Sequence, residues 1–403
     1  LDMNLAGNPS MTTWHQYRNG VFGDIGLKPD LATIIYDGKD PDLGHVICDL
    51  VQADGSPLPL CPRSLLRRIV GDIGDVGYTV KAACELEFVL YHTSFADAHK
   101  QEYQKLEPVG ASESYLIYSL RNASDAKGFM TEVTGRLNSQ RFPWESWSDE
   151  GAHGQIEINF APADPVTTAD RVVRAKQIVH ETAREMGMAA TFMPHPGRLQ
   201  STGLHIHHSL LADGEPAFVT ADGATELLHH WAAGILATMP GAVSLLCPSI
   251  NSYRRLAEFG APPTTPSWAE ENKSAALRLI SRTPALGRLE HRLAAGDANP
   301  YLALATILAG GLAGLRHKLT PPPQLTHLGW GLPEDVPHLP KTILAAHDAL
   351  GKDTYLPEIM GTELVNHWRK TRRMEWLAFH TEGGDPESRK TTLWEYKRYF
   401  ELV

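Results

Sequence analysis

The segment ACELEFVLYH places two glutamates, Glu85 and Glu87, one residue apart in an otherwise apolar stretch. Successive side chains of a β-strand point to opposite faces, so the two acids share one face while Leu86 and Phe88 share the other. If the apolar face packs into a core, both carboxylates lie in the same cavity. Two ionised carboxylates this close repel each other unless one is protonated or a cation binds between them.

Further stretches of the chain repeat this alternation of polar and apolar side chains. In HGQIEINFAP the side chains of Gln155, Glu157 and Asn159 share one strand face, with apolar residues behind them. Glu150, just upstream in SDEGAHGQ, can fold back toward that strand. The stretches STGLHIHHSLL and GRLEHRLAAGD alternate in the same way. Their polar faces carry His205, His207, Ser209, Glu290 and Arg292.

One glutamate on a strand is usually a solvated edge residue, and one strand histidine is usually a hydrogen-bonded core residue. As a set, these side chains indicate a binding site, because their strands are apolar enough to be buried and buried charges must be paired or coordinated. Five glutamates and one histidine suit Mg²⁺ or Mn²⁺ better than structural zinc. Two divalent ions among such acids are typical of phosphoryl transfer.

Composition narrows the class of protein. A chain of 403 residues, 42% of them hydrophobic, can bury a large core and is expected to form two domains. A net charge of −10 argues against nucleic acid as a partner. The four cysteines form no CxxC pair, which suits a reducing cytoplasm. The longest apolar run, YLALATILAGGLAGL, is too short and too interrupted by glycine for a membrane span. The chain has no visible signal peptide and lacks a start Met, so we expect the natural protein to begin earlier.

The order of local patterns predicts an α+β fold. Residues 1–75 read as short strands and loops, with a hairpin turn at Asp54-Gly55 in HVICDLVQADGSPLP. The stretch TTADRVVRAKQIVHETAREMG is an amphipathic helix that Gly187 ends. Strands and helices alternate up to about residue 315, and the chain is mainly helical from Asn299 onward.

These motifs together resemble the glutamine synthetase family over nearly the whole chain. The matching segments are ACELEFVL, GQIEIN, GLHIHHSL, INSYRRL, ENKSAALRL and LEHRLAAGDANPYLALA. FGDIGLKPDL and CDLVQADGSPLPLCPRSLL resemble the end of the family's small N-terminal β-grasp domain, and TTLWEYKRYFELV resembles its C-terminal helix. The resemblance implies an incomplete β-grasp domain at 1–70. It also implies a catalytic domain at 71–403, with a curved antiparallel sheet flanked by helices.

The resemblance also implies roles for individual residues. One metal would be held by Glu87, Glu150 and Glu157, and a second by Glu85, His205 and Glu290. The residues implied to contact ATP are His207, Ser209 and Arg288. The catalytic residues implied are Arg255, which clamps the α-carboxylate of glutamate, and Lys273, Arg278 and Arg292 beside the transferred phosphoryl group. The remaining substrate contacts implied are Tyr118, Gln200, Ser201, Gly203 and Ala261. ATP would phosphorylate the γ-carboxylate of glutamate, and an amine would then displace phosphate.

The chain departs from the family at the ammonium subsite. The flap glutamate of ammonia-using enzymes lies six residues after the arginine that corresponds to Arg255, and that position is Ala261. Pro263 keeps the register, so Glu258 is not its equivalent. The family's D-G-S-S loop, whose Asp reaches the ammonium site of a neighbouring subunit, has no counterpart in GNPSMTTWHQYRNG. The family's N-G-S-G turn, which binds glutamate, reads QSTG. Lys273 replaces an arginine, which keeps the charge but loses the planar fork.

Loss of two acids from that subsite favours an amine larger than ammonia. The sequence therefore resembles most the γ-glutamylamide ligases, such as γ-glutamylanilide or γ-glutamylpolyamine synthetases, and favours an aromatic or alkyl amine. A polyamine fits less well, although Glu145, Asp149 or Glu258 can supply an acidic partner. An ordinary glutamine synthetase and a non-catalytic structural relative remain as alternatives. The resemblance further implies a cytoplasmic dodecamer of two hexameric rings that acts on small molecules and binds neither nucleic acid nor membrane.

Overall fold

The structure is a computed structural model that describes residues 25–36, 40, 42–110, 117–197, 199–257, 260–333, 335–388 and 390–403. Its strands are β1 (Gly26–Tyr36), β2 (Gly44–Val51), β3 (Thr79–Tyr91), β4 (Trp144–Asp149), β5 (Gln155–Phe160), β6 (Ala189–Thr191), β7 (Leu204–Ala212), β8 (Glu215–Pro216), β9 (Val219–Thr220), β10 (Gly223–Ala224), β11 (Trp268–Glu270), β12 (Leu277–Ile280) and β13 (Arg288–His291). Its helices are α1 (Pro62–Gly74), α2 (Phe95–Lys100), α3 (Leu120–Ser139), α4 (Pro165–Glu185), α5 (Glu226–Leu246), α6 (Ile250–Arg255), α7 (Pro300–Arg316), α8 (Ile343–Lys352), α9 (Tyr355–Met360), α10 (Thr362–Thr381) and α11 (Leu393–Tyr399).

A nine-stranded sheet forms the centre of the molecule, in the order β11-β12-β13-β7-β3-β5-β4, with β6 paired to β3 and β8 to β7. The predicted α+β class is confirmed. The sheet is antiparallel as expected except at one edge, where β11 and β12 run parallel. Residues 271–276 connect these two strands.

One face of the sheet is packed against helices, as the alternation in β3 predicts. Leu86 and Phe88 are fully buried, and the Phe88 ring contacts the rings of Phe129 and Phe192 at centroid distances of 6.0 and 5.8 Å. Helix α4 lies against β3 on this side. Its first turn is capped by Asp164, whose carboxylate accepts hydrogen bonds from two backbone N–H groups. The acids of β3 are thereby left on the opposite face.

The apolar run near residue 305 forms the buried helix α7, which packs against α5. A Cβ at Gly234 would lie 2.1 Å from the carbonyl oxygen of Gly310 and 2.4 Å from the nitrogen of Gly314. Glycine is therefore required for the two backbones to approach this closely. Among the helices of the described ranges, none is both long and apolar enough for a bilayer span.

Before helix α1 the chain forms the antiparallel hairpin β1–β2, and the predicted turn at Asp54-Gly55 follows it. Gly55 has φ +80, and the N–H of Gln52 donates to the carbonyl oxygen of Ser56 at 2.8 Å. Helix α1 crosses the predicted domain boundary at residue 70 and buries Ile69 and Ile73 in the common core. The division into a β-grasp domain and a catalytic domain stays a prediction.

Arg63 of α1 joins the hairpin to the core. Its guanidinium bonds both carboxylate oxygens of Asp170 on α4 at 2.9 Å, Asp30 on β1 at 2.8 Å and Asp49 on β2 at 3.1 Å. The Tyr301 hydroxyl also donates to Asp170 at 2.5 Å. Arg63 is only 4% exposed, so its charge is stabilised by these carboxylates rather than by water.

Replacing Arg63 by alanine is expected to lower the free energy of unfolding by about 3–5 kcal/mol, because it leaves buried Asp170 without its cation. Arg67→Ala is the matched control. Arg67 also bonds Asp30 and Asp49, but its side chain is 47% exposed, and the expected loss is about 0–1 kcal/mol. Urea unfolding at one fixed protein concentration measures both values, and equal losses would contradict the assignment of Arg63 as the anchor.

Candidate active site

The strand register brings the predicted acids and imidazoles together on one face of the sheet. Glu85 of β3 lies opposite His205 of β7, and Glu87 lies opposite Glu157 of β5. Glu290 of β13 lies opposite His207. Neighbouring strands are about 5 Å apart, so side chains from four consecutive strands meet above the middle of the sheet.

The first cluster of possible metal ligands is the predicted set of Glu85, His205 and Glu290. Each offers one ligand atom, and these atoms lie within 4.8 Å of one another. His205 Nδ1 is 2.9 Å from Glu85 Oε2. Burial tends to raise the pKa of Glu85, but the hydrogen bonds with His205 and His207 outweigh it and hold the pKa well below its usual range. Glu85 is therefore ionised and available to a cation.

The second cluster differs from the predicted set by one residue. Glu87 and Glu157 lie with His205, within the same 4.8 Å limit, whereas Glu150 stands outside this group and forms a hydrogen bond with Tyr118. Burial, and then the neighbouring carboxylates, raise the pKa of Glu150 and of Glu157 to about 8. The acids are thus crowded enough to favour either a proton or a cation. Oxygen donors with one imidazole fit a hard divalent ion, and the ligand assignment itself stays a prediction.

Glu87 is held in place by groups that contact its side chain. Gln155 Nε2 donates to Glu87 Oε2 at 2.9 Å, and the Gly203 N–H donates to the same oxygen at 3.0 Å. A Cβ at Gly203 would lie 2.7 Å from Arg255 Nη2 and 3.2 Å from Glu87 Oε1. The absence of a side chain at Gly203 therefore lets Arg255 approach the acid cluster. The contact of Gly203 with substrate stays a prediction.

A cavity of about 490 Å³ opens beside the clusters, and we call it the arginine cavity. It is lined by all six predicted metal ligands and by these predicted substrate and catalytic residues: Tyr118, Gln200, Ser201, Arg255, Ala261, Lys273, Arg278 and Arg292. The Nε atoms of the three arginines are buried without a hydrogen-bond partner. Arg255 is 4% exposed, and its Nη1 donates to the Leu293 carbonyl oxygen at 2.9 Å. Buried donors of this kind fit an anionic ligand.

Glu290 is shared between the acid cluster and two of these arginines. Arg292 Nη1 donates to Glu290 Oε1, and Arg278 Nη1 donates to Oε2 at 3.0 Å. Arg278 also donates to Glu271 at 2.8 Å. Each Glu290 oxygen thus accepts from a guanidinium group that also lines the arginine cavity, and each keeps a further lone pair with which to bind an ion.

A second cavity of about 560 Å³ lies on the other side of the clusters, and we call it the His207 cavity. It is lined by His207, Ser209 and Arg288, the residues predicted to contact ATP. Arg288 Nε donates to His207 Nδ1 at 3.2 Å, so His207 Nε2 carries the proton and donates to Glu85 Oε1 at 2.8 Å. Glu85 and Glu157 line both cavities. The acid clusters are therefore the border between the two.

Several lining residues were missed at the sequence level. Lys81 lines the His207 cavity and lies opposite Ser209 on β7. The sequence pattern could have identified Lys81, because it shares a strand face with Glu85 at a spacing of four residues. Ile117 and Leu199 line the arginine cavity from loops, with 49% and 74% of their surface exposed. No periodic pattern marks such loop residues.

Two acids predicted as possible partners for a polyamine lie away from the arginine cavity. Glu145 lines the His207 cavity instead of the arginine cavity, and Asp149 accepts hydrogen bonds from the Ser119 N–H at 3.1 Å and from Asn122 at 3.4 Å. Neither acid lines the arginine cavity. Glu258 and the segment GNPSMTTWHQYRNG lie outside the described residues.

Two cavities meet at a carboxylate-imidazole cluster on the sheet, and one of them is lined by arginines. This arrangement defines a site for moving an anionic group between two ligands. A family model described as "Glutamine synthetase, catalytic domain" matches residues 59–399. The chain belongs to the glutamine synthetase family.

Individual relatives carry different printed names. The γ-glutamylethanolamide synthetase of Streptomyces coelicolor is 31% identical over 403 residues, which are 100% of this chain and 84% of that protein. The glutamine synthetase of Thermus thermophilus is 31% identical over 399 residues, covering 93% of this chain and 84% of that protein. A solved structure titled "Apo GmaS without ligand" aligns with a TM-score of 0.81 at 26% identity, covering 94% of this chain and 85% of that one.

Glu157→Ala is expected to weaken Mn²⁺ binding and to lower ligase activity by about 100-fold or more, because it removes a charged ligand from the shared border. Manganese titration followed by electron paramagnetic resonance measures the binding, and circular dichroism checks that the fold survives. Glu181→Ala on α4, outside both cavities, is the control. Unchanged Mn²⁺ affinity and activity in Glu157→Ala would refute the metal assignment.

Proposed function

We propose that the protein is an ATP-dependent ligase that phosphorylates the γ-carboxylate of L-glutamate and joins it to an amine larger than ammonia. The observation that carries this proposal is the pair of cavities that share Glu85 and Glu157. ATP in the His207 cavity would face glutamate in the arginine cavity across the acid clusters. Phosphoryl transfer needs such an arrangement, with donor and acceptor on opposite sides of a charge-neutralising centre.

Residues of the chain have distinct tasks in this reaction. His207, Ser209 and Arg288 bind the nucleotide, and Arg255 binds the α-carboxylate of glutamate with its planar guanidinium. Arg278, Arg292 and Lys273 stabilise the charge on the transferred phosphoryl group and on the γ-glutamyl phosphate. Mg²⁺ or Mn²⁺, two or more per site, would neutralise phosphate charge when bound by the six predicted ligands. The amine then displaces phosphate and forms the amide.

The lining of the arginine cavity supports an amine with an apolar substituent. Ala261 stands where ammonia-using relatives carry an acid, and Ile117, Tyr118 and Leu199 add apolar surface. Among the described residues that line this cavity, the acids are those of the proposed metal centre: Glu85, Glu87, Glu150, Glu157 and Glu290. An aromatic amine is neutral at pH 7 and needs no carboxylate to deprotonate it. The name of the Streptomyces relative, whose amine is ethanolamine, supports use of an amine larger than ammonia.

The alternatives are weaker for specific reasons. A polyamine needs an acid for its second ammonium group, and neither Glu145 nor Asp149 lines the arginine cavity. Identity does not separate an ordinary glutamine synthetase from an amide ligase, since the Thermus enzyme and the ethanolamide ligase are both 31% identical to this chain. The ordinary glutamine synthetase is the weaker candidate because Ala261 stands where ammonia-using relatives carry an acid. A non-catalytic relative has no reason to retain all six predicted metal ligands.

Phosphate release with glutamate, ATP and Mg²⁺ or Mn²⁺ across a panel of amines tests the proposal. The panel contains ammonium, an alkylamine, aniline, ethanolamine and a diamine. Ala261→Glu is expected to lower kcat/KM for aniline and the alkylamine by about 10-fold, since it fills the subsite and buries a carboxylate there. Ammonia use should rise or stay unchanged. If the wild type prefers ammonium over every other amine, the larger-amine proposal is wrong.

We also propose a cytoplasmic homo-oligomer, a dodecamer of two hexameric rings. Strand β1 supports association between subunits, because its apolar side chains Leu27, Leu31 and Tyr36 are 66%, 69% and 70% exposed and a neighbouring subunit can cover them. Light scattering of the active protein should give about twelve times the mass of one chain. An active monomer would contradict the proposed assembly.

A further inference from the structure

The glutamate clamp Arg255 ends a very short helix whose position depends on contacts from elsewhere. Helix α6 spans Ile250–Arg255, and its first turn is fixed by a capping box between Ser249 and Ser252. On one side the Ser252 hydroxyl lies 3.1 Å from both carboxylate oxygens of Asp297. A helix of six residues is not stable alone, so neighbouring groups decide where Arg255 points.

On its other side, α6 is bonded to the C-terminal helix α11 through Glu395, which is fully buried. Arg254 Nε donates to Glu395 Oε1 at 2.6 Å, and Asn251 Nδ2 donates to the same oxygen at 3.0 Å. The second oxygen accepts from the Thr392 N–H at 2.9 Å and from its hydroxyl at 2.8 Å. Glu395 is 0% exposed. A buried carboxylate with all these donors is rigidly oriented, and it fixes the residue next to Arg255.

Helix α6 and Thr391, just before α11, also hold the opposite wall of the arginine cavity. Asn251 Oδ1 accepts from the His195 N–H at 2.7 Å. The Thr391 hydroxyl donates to the His195 carbonyl oxygen at 2.6 Å and accepts from its Nδ1 at 3.2 Å. His195 precedes the loop that carries Gln200 and Ser201, and all three line the arginine cavity. Thr391 and Glu395 thus connect the two walls between which glutamate would bind.

We infer that Glu395 and Thr391 act as positioning residues that align Arg255 with the Gln200–Ser201 loop for glutamate binding. This inference rests on the proposed function. Neither residue, nor any other residue of α6 or α11, lines the His207 cavity. Loss of the connection should therefore change the affinity for glutamate and leave the affinity for ATP nearly unchanged, which loss of general stability would not do.

Glu395→Gln tests the inference in the assembled enzyme, because it keeps the size of the side chain and removes the charge that Arg254 bonds. The KM for glutamate should rise about 10-fold or more. The KM for ATP should stay within about twofold, since only the arginine cavity is affected. Thr391→Val keeps the bonds of Glu395 and removes the link to His195 together with the 3.5 Å hydrogen bond from Asn251 Nδ2. It should raise the KM for glutamate by a smaller factor.

Glu375→Gln is the matched control. Glu375 is also buried and holds the far end of α11, through Arg398 Nε and Nη2 at 2.7 Å each and through the Tyr399 hydroxyl. Among the described contacts it reaches α6 only through that hydroxyl, which accepts a backbone hydrogen bond from Ile250, at the end of α6 away from Arg255. It should leave the KM for glutamate within about twofold.

Three outcomes would decide the matter. An unchanged KM for glutamate in Glu395→Gln overturns the inference. The inference is also overturned if the KM for glutamate and the KM for ATP rise by the same factor, and do so in both Glu395→Gln and Glu375→Gln. If Glu395→Gln does not fold, an unchanged KM for glutamate in Thr391→Val overturns it instead. Failure of the wild type to release phosphate in a glutamate-dependent way refutes the proposed function instead, because the positioning variants are read only against an active parent.

Discussion

Repulsion between carboxylates buried on one face of a sheet is the constraint on which the rest of the structure depends. Glu87 and Glu157 are less than 10% exposed, and Glu290 is 1% exposed. In water such acids ionise independently, but here burial and mutual repulsion raise the pKa of Glu157 to about 8. The protein compensates with imidazoles, with arginines and with a geometry that suits divalent cations. The same features make the site able to handle phosphate.

The negative charge of the buried acids is compensated differently on the two sides of the acid clusters. Toward the His207 cavity it is a linear chain in which Arg288 bonds His207 and His207 bonds Glu85. Toward the arginine cavity it is a set of guanidinium groups with unpaired buried Nε atoms. The first arrangement fixes side-chain orientation, whereas the second leaves donors free for an anionic ligand. A transfer reaction needs both, because one ligand must be held while charge develops on the other.

Buried ion pairs join distant segments of the chain, and one of them lies beside the arginine cavity. Arg63 binds the hairpin and Asp170 together, and Glu395 binds α6 to the C-terminal helix. Such pairs contribute little net stability compared with apolar packing, but removing one partner is costly, so they specify a single arrangement. The precision of the arginine cavity thus depends on residues far from it in sequence.

The sequence alone determined which side chains share a strand face, because alternation is a local property of the extended backbone. Glu85 with Glu87, and His205 with His207, were predicted in this way, whereas helix α4 was predicted from apolar residues at helical spacing. Motif order then identified the family. The metal sets and ligand contacts were implied by resemblance and remain proposals.

Only the tertiary structure decided which strands are neighbours and in what register. That His205 stands opposite Glu85 and belongs to both clusters, while Glu150 bonds Tyr118 outside the second one, depends on pairings between distant segments. The placement of Glu145 in the His207 cavity and the hydrogen bond between Asn251 of α6 and Glu395 also depend on contacts between distant segments. Local pattern cannot supply them, because each is fixed by how the sheet, the loops and the last helix pack together.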